Sequence, residues 1–197
     1  MSHLRAFIAV DIPSQIQQAL QQQIETLRKT LDTSLVRWVS ADNIHLTLKF
    51  LGDIPLADVE ALTQMLRTSA DLVPAFDIQI GGLGSFPSLR RPRVLFLRIQ
   101  APAELEALYR GIESACTRLG YESERRGFHP HLTLGRVRQE LPASDQRKIQ
   151  YTLEGTTVDS LGTARVDSVH LYKSDLKPSG SVYAKLFSAP LKPYVTQ

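Results

Sequence analysis

Short apolar runs that alternate every second residue are interleaved along this chain with longer segments whose apolar residues recur every three or four positions. That interleaving predicts an α+β protein. RAFIAVDI (5–12) is β-prone, and Pro13 with Ser14 opens a helix carrying Ile16, Leu20, Ile24, Leu27 and Leu31 on one stripe. IHLTLKFLG (44–52) alternates as a strand, punctuated by Gly52, Asp53 and Pro55 before a second helix through Val59, Leu62 and Leu66. FDIQIGGL (76–83) alternates again, so the first half reads β-α-β-α-β. After the turn-like GSFPSLRRP come a strand at RVLFLRI (93–99) and a helix striped by Leu105, Leu108, Ile112, Ala115 and Leu119. PHLTLGRV (130–137) is the next strand, 142–151 a short helix after Pro142, and TTVDSLG, ARVDSVHLYKSDL and SVYAKLFSAPL are strand-like. The second half thus echoes the first, with one strand added.

The echo has an anchor. His45-Leu46-Thr47-Leu48 recurs as His131-Leu132-Thr133-Leu134, 86 residues on, each in the second strand of its half. This reads as an internal duplication within a single 1–197 domain, with lobes at approximately 1–85 and 86–197. Lobes repeated in this way are expected about a pseudo-twofold axis, with the two motifs facing each other.

Strand side chains alternate between faces, so each motif puts its histidine and threonine on one side and its leucines on the other. Two opposed imidazoles suit a general acid and a general base, since an imidazole gives or takes a proton near neutrality. In-line displacement at phosphorus needs that pair: a base for the entering water and an acid for the departing oxygen. The threonine hydroxyls can donate to the non-bridging oxygens, where charge accumulates. Against this stand a structural role for a strand histidine and a metal reading of the His129/His131 pair. The metal reading lacks acidic residues within three positions and a third ligand at characteristic spacing.

Composition narrows the setting. At 197 residues, 43% apolar and 22% charged, the chain suits one compact, folded unit. Its single cysteine, Cys116, excludes an internal disulfide and a four-cysteine zinc site. The apolar run before Asp11 is too short for a signal peptide or membrane helix, so a soluble, cytoplasmic protein is expected. The net charge of +3 hides a local bias: residues 90–138 hold ten Arg and five Glu, without Asp or Lys. Such a segment suits a polyanion, although isolated surface arginines are common.

RWVSADNIHLTLKFLG (37–52) and FHPHLTLGR (128–136) resemble the two signature segments of the two-histidine phosphoesterase superfamily. The resemblance is specifically to the bacterial and archaeal RNA 2′,3′-cyclic phosphodiesterases, also called LigT, ThpR or 2′-5′ RNA ligases. It extends to RAFIAVDIP at the start and to FDIQIGGLGSFP followed by RPRVLFLRI. It implies a bilobal α+β fold, its antiparallel sheets lining a central groove, and metal-independent opening of a terminal 2′,3′-cyclic phosphate to a 2′-phosphomonoester without a cofactor. By motif position His45 resembles the proton donor, His131 the acceptor that activates water, and Thr47 and Thr133 the phosphate-binding threonines. Arg136 matches a position where relatives present a basic residue.

Strict alternation sends Arg136 away from the groove unless the chain bulges or turns, which Gly135 permits. Lys49 has the parity of His45 and Thr47. Arg125 and Arg126 can steer an RNA backbone, and Trp38 can stack on a base, against ordinary surface charge and packing as the alternatives. His3, His170 and Cys116 carry no motif and read as structural. The expectation is a monomer acting on RNA ends bearing cyclic phosphates, tRNA halves among them, away from membranes, with weak reverse 2′-5′ ligation as a side activity. Its rivals are a cyclic phosphodiesterase for a small nucleotide or ADP-ribose cyclic phosphate, and a catalytically idle RNA-binding module.

Overall fold

The computed structural model describes residues 2–177 and 180–193. In chain order the elements are β1 (His3–Val10), α1 (Ser14–Arg28), β2 (Val36–Trp38), a 3-10 turn (Ala41–Asn43), β3 (Leu46–Pro55) and α2 (Asp58–Ala70). β4 (Phe76–Phe86), β5 (Val94–Gln100), α3 (Ala103–Arg118), β6 (His131–Val137) and α4 (Ala143–Gly155) come next, and then β7 (Ser160–Val166), β8 (Ser168–Lys177) and β9 (Gly180–Pro190).

These strands form two antiparallel sheets. Sheet one has the order β3-β1-β8-β9, and sheet two has β2-β6-β5-β4-β7. The motif strands occupy matching places, β3 beside β1 and β6 beside β5. Beyond them the halves trade strands: β4, from the first half, completes sheet two, while β8 and β9, from the second, complete sheet one. The sequence halves therefore do not coincide with the sheets. The helices cross over too, α1 leaving sheet one to pack on β7 and α3 leaving sheet two to pack on β3.

The predicted stripes are the buried ones: Ile16, Leu20, Ile24 and Leu27 of α1, and Leu105, Leu108, Ile112, Ala115 and Cys116 of α3. They join strand residues of both sheets in one continuous core, while Leu31, Leu35, Val36, Leu95, Ile149 and Leu153 form a second cluster beneath α4. Burial of this kind returns about 25 cal/mol per Å² of apolar surface, so the shared core welds the sheets together. Buried Cys116 has its thiol pushed up to about 11 and is inert at neutral pH.

Two elements depart from expectation. β2 spans three residues, too few for an alternation to register. The run 164–176 is broken at Asp167 into β7 and β8, a corner that no glycine or proline marks. No described helix is long and apolar enough to cross a membrane.

Candidate active site

The two motif strands carry the same irregularity. Along β3, Thr47 faces Ala9 and Lys49 faces Ile8, which makes Leu48 the extra residue of a β-bulge. Along β6, Thr133 faces Phe96 and Gly135 faces Leu95, so Leu134 is the extra residue there. Each bulge falls three residues after its histidine and reverses the parity of the residues beyond it. The fourth residue after each histidine, Lys49 or Gly135, turns to the far side, and the fifth, Phe50 or Arg136, returns to the histidine's side. Cross-strand partners agree, since Phe50 lies opposite Phe7, which stacks on His45, and Arg136 lies opposite Val94 and Arg37.

β3 and β6 approach one another across the boundary between the sheets, although they share no ladder. Their leucines, Leu46, Leu48, Leu132 and Leu134, are buried, while His45, Thr47, His131 and Thr133 are half-buried on the face the alternation assigns them. Neither threonine hydroxyl has a hydrogen-bond partner among the described residues.

Both imidazoles are held in one way. His45 Nδ1 lies 2.9 Å from the carbonyl of Asn43 and His131 Nδ1 lies 2.6 Å from the carbonyl of His129, each two residues upstream. A carbonyl only accepts, so the proton of each neutral ring sits on Nδ1 and the Nε2 lone pair is left for chemistry. The ring of His45 stacks on Phe7 with centroids 4.7 Å apart, Phe7 stacks on Tyr172 at 5.2 Å, and Tyr183 meets His45 edge-on at 5.2 Å. On sheet two His131 stands against Phe86 at 5.0 Å and Phe96 at 5.1 Å. Gly84 makes room for this packing, because a Cβ there would lie 2.5 Å from the Phe96 ring.

Charge separates the two. Burial pushes the pKa of His45 below the ordinary imidazole value, opposed by its bond to Asn43 and by the negative charge of Asp11. Burial likewise lowers His131; its bond to His129 opposes this, and the positive charge of Arg136 reinforces it. Asp11 is itself anchored: burial favours its neutral form, but bonds from Lys185, at 2.7 Å, and from Tyr172 outweigh that and keep it ionised. His170, 4% exposed, bonds Ser188 at 2.9 Å and lies 3.4 Å from the Asp11 carboxylate, in the structural role expected.

The sequence model of the 2′-5′ RNA ligase superfamily matches residues 15–178, a span that includes both motifs. The chain belongs to this superfamily. An RNA 2′,3′-cyclic phosphodiesterase of Methanothermobacter thermautotrophicus is 32% identical over 183 residues, 93% of this chain and 96% of that one. Among solved structures, a Thermus thermophilus protein superposes with a TM-score of 0.79 at 26% identity, covering 96% of this chain and 99% of that one. Escherichia coli LigT, solved in complex with 3′-AMP, superposes with a TM-score of 0.74 at 29% identity over 96% and 99%.

The remaining residues singled out in this superfamily member divide sharply. Arg136 is brought onto the groove face, because the bulge at Leu134 supplies the change of parity that strict alternation denied it. Gly135 has a different reason to be glycine: its Cβ would lie 2.7 Å from Val36 Cγ1, so it lets β2 approach. Lys49 is a correction, since the bulge at Leu48 turns it under α3, where it is 6% exposed and bonded to Glu113 at 2.8 Å and to the Glu122 carbonyl at 2.6 Å. Trp38 is another. Opposite Gly135 it sits on the face away from Arg136, packs on the core and donates Nε1–H to the Leu31 carbonyl at 3.1 Å, so it offers no stacking surface to the groove. Arg125 and Arg126 lie on the exposed loop between α3 and β6, outside both sheets, with Arg126 paired to Glu124 at 3.3 Å. Phe50, 68% exposed beside His45, was not foreseen, although aligning the two motifs places it at the position of Arg136. Among the described residues no group of three His, Cys, Asp or Glu side chains is close enough to hold a metal.

Proposed function

We propose that this enzyme opens the terminal 2′,3′-cyclic phosphate of RNA to a 2′-phosphomonoester, using its two histidines as acid and base and no metal. The observation that carries this reading is the repeated Nδ1–H···O=C anchor, which leaves a free Nε2 on each motif. A pure binding module has no use for two such anchored nitrogens. Names of relatives and the 3′-AMP complex of LigT support an RNA-type substrate.

Water attacks phosphorus in line with O3′. Its proton passes to Nε2 of neutral His131, the P–O3′ bond breaks, and Nε2–H of protonated His45 gives its proton to O3′. The product carries a 2′-phosphate and a 3′-hydroxyl. Asp11 favours the charged form of His45 and Arg136 favours the neutral form of His131, so the surroundings break the symmetry of the pair in the direction these roles need. Thr47, Thr133 and Arg136 are the donors for the non-bridging oxygens, where preorganised hydrogen bonds count most. Phe50 is a platform for the terminal base. Running the same steps backward with a ribose 2′-phosphate and a hydroxyl end gives weak 2′-5′ joining. One chain supplies both motifs, and the enzyme acts as a monomer.

The test is to incubate the purified protein with an RNA ending in a 2′,3′-cyclic phosphate, with and without excess EDTA, and to identify the product isomer. A 2′-phosphate formed at equal rates in both is expected. A 3′-phosphate product would overturn the role of His45, and loss of activity in EDTA restored by Zn²⁺ or Mg²⁺ would overturn the metal-free mechanism.

A further inference from the structure

A cavity of about 430 Å³ lies at the end of sheet two, between the turn joining β4 to β5 and the segment leading into α4. Its lining includes Arg91, Arg93 and Arg138 against one acid, Glu140. Among the described residues the side chains of Arg91 and Arg93 make no ion pair or hydrogen bond. Arg138 spends its Nε–H on the Thr33 carbonyl at 2.8 Å, which points its guanidinium from a fixed base. Three cations gathered around one anion repel one another, and a fold gains nothing from that unless an anion enters. Pro87 and Pro92 also line the cavity and restrict its backbone, so the arginines are offered from a stiff turn.

The cavity is continuous with the reaction centre through backbone. Phe86, whose ring stands against His131, accepts the backbone N–H of Arg93 at 2.7 Å, and Pro87 comes directly after it. Along β5, Arg93 comes three residues after Phe96 in the direction leaving His131, roughly 10 Å at about 3.3 Å per residue. Arg136 and Arg37 lie side by side on the stretch between.

We infer that this cavity holds a backbone phosphate of the RNA strand on the 5′ side of the cyclic end, so that the enzyme selects for strands over mononucleotides. The inference rests on the RNA reading above and assigns the contact to arginines away from both motifs. Arg125 and Arg126, the pair the sequence favoured for this task, lie on a different loop.

The experiment compares wild type with the Arg91→Ala/Arg93→Ala double variant and with Arg91→Lys/Arg93→Lys. Substrates are an RNA decamer with a 2′,3′-cyclic end and a nucleoside 2′,3′-cyclic monophosphate, and binding is read with a decamer ending in a 2′-phosphate. The alanine pair should lower kcat/KM on the decamer and weaken decamer binding by about tenfold or more, leaving the mononucleotide unchanged. The slope of log Kd against log salt should fall by about 1.4 for two lost contacts to a single strand, and the lysine pair should restore most of that slope. Equal losses on both substrates, or none on the decamer, overturn the inference. So does loss of inorganic phosphate binding without any dependence on strand length. If wild type opens neither cyclic substrate, the catalytic reading has failed, and decamer binding alone decides the cavity. Unchanged thermal melting confirms that the alanine pair folds.

Discussion

The two sheets present walls of opposite character from matching scaffolds. Around His45 the groove face of sheet one is aromatic, with Phe7, Phe50, Tyr172 and Tyr183. Around His131 that of sheet two carries Arg37, Arg98 and Arg136, with Phe86 and Phe96 behind the histidine. The difference concentrates at one equivalent position, Phe50 against Arg136. An aromatic platform attracts a base through stacking, and a guanidinium attracts phosphate oxygens through charge and paired hydrogen bonds. A duplicated frame has thus been given one wall for the nucleoside and one for the phosphate, and substrate orientation is set by that inequality.

Removing either proton carrier should have the largest effect. His45→Ala and His131→Ala are each expected to lower kcat/KM by about 10² to 10⁴, and the double variant by much less than the product, since both act in one step. Near wild-type turnover by either folded single variant on a cyclic-phosphate RNA would sink the two-histidine mechanism.

Exchanging the walls' special residues comes next. Arg136→Ala should cost about 10² to 10³, mainly in kcat, as loss of a donor to the transition state. Phe50→Ala should cost roughly tenfold, mainly in KM, as loss of a stacked base. If both variants changed KM and kcat in the same proportion, the walls would not divide the work. Thr47→Val and Thr133→Val keep the branched shape and should fall between these two.

Smaller shifts should appear in the pH profile of kcat/KM. His45 must be protonated, and Asp11 raises its pKa; Asp11→Asn lowers that pKa further and should move the alkaline limb to lower pH. His131 must be neutral, and Arg136 lowers its pKa; Arg136→Gln should raise it and move the acid limb to higher pH. Limbs that move the opposite way would exchange the two roles.

The smallest effect is on stability. His45, His131 and His170 are all held below the ordinary imidazole value, so the unfolded chain binds more protons as pH drops through about 6.5. Stability from these groups is complete above that pH and is lost below it, down to the folded-state pKa values. A fall in Tm of about a few degrees on acidification should begin there, and a flat Tm from about pH 7.5 to 5.5 would contradict it.

The histidines and threonines were legible because their period is local: a two-residue alternation fixes which side chains share a face. The amphipathic helices were legible for the same reason. Arg136 and Lys49 changed sides because a bulge is a property of two strands together, and nothing within LTLKF or LTLGR marks the residue left unpaired. Trp38 was ambiguous because its partner, the Leu31 carbonyl, is seen only once β2 is placed. Asp11 and Tyr172 lie 161 residues apart, and their contact depends on β8 joining the sheet of β1, which no local pattern encodes. The exchange of β4 with β8 and β9 was hidden likewise, since all these strands alternate alike.

That exchange bears on how the protein is made. Sheet one needs β8 and β9, which end at Pro190, so a chain emerging N-terminus first has the His45 motif in hand long before the strands that flank its aromatic bed. Tyr172, Tyr183 and Lys185 arrive among the last residues, and β1 must wait with one edge open until they do. The nascent chain cannot assemble a working centre from its first half, so a prematurely terminated product carries an intact His45 motif and no catalytic power.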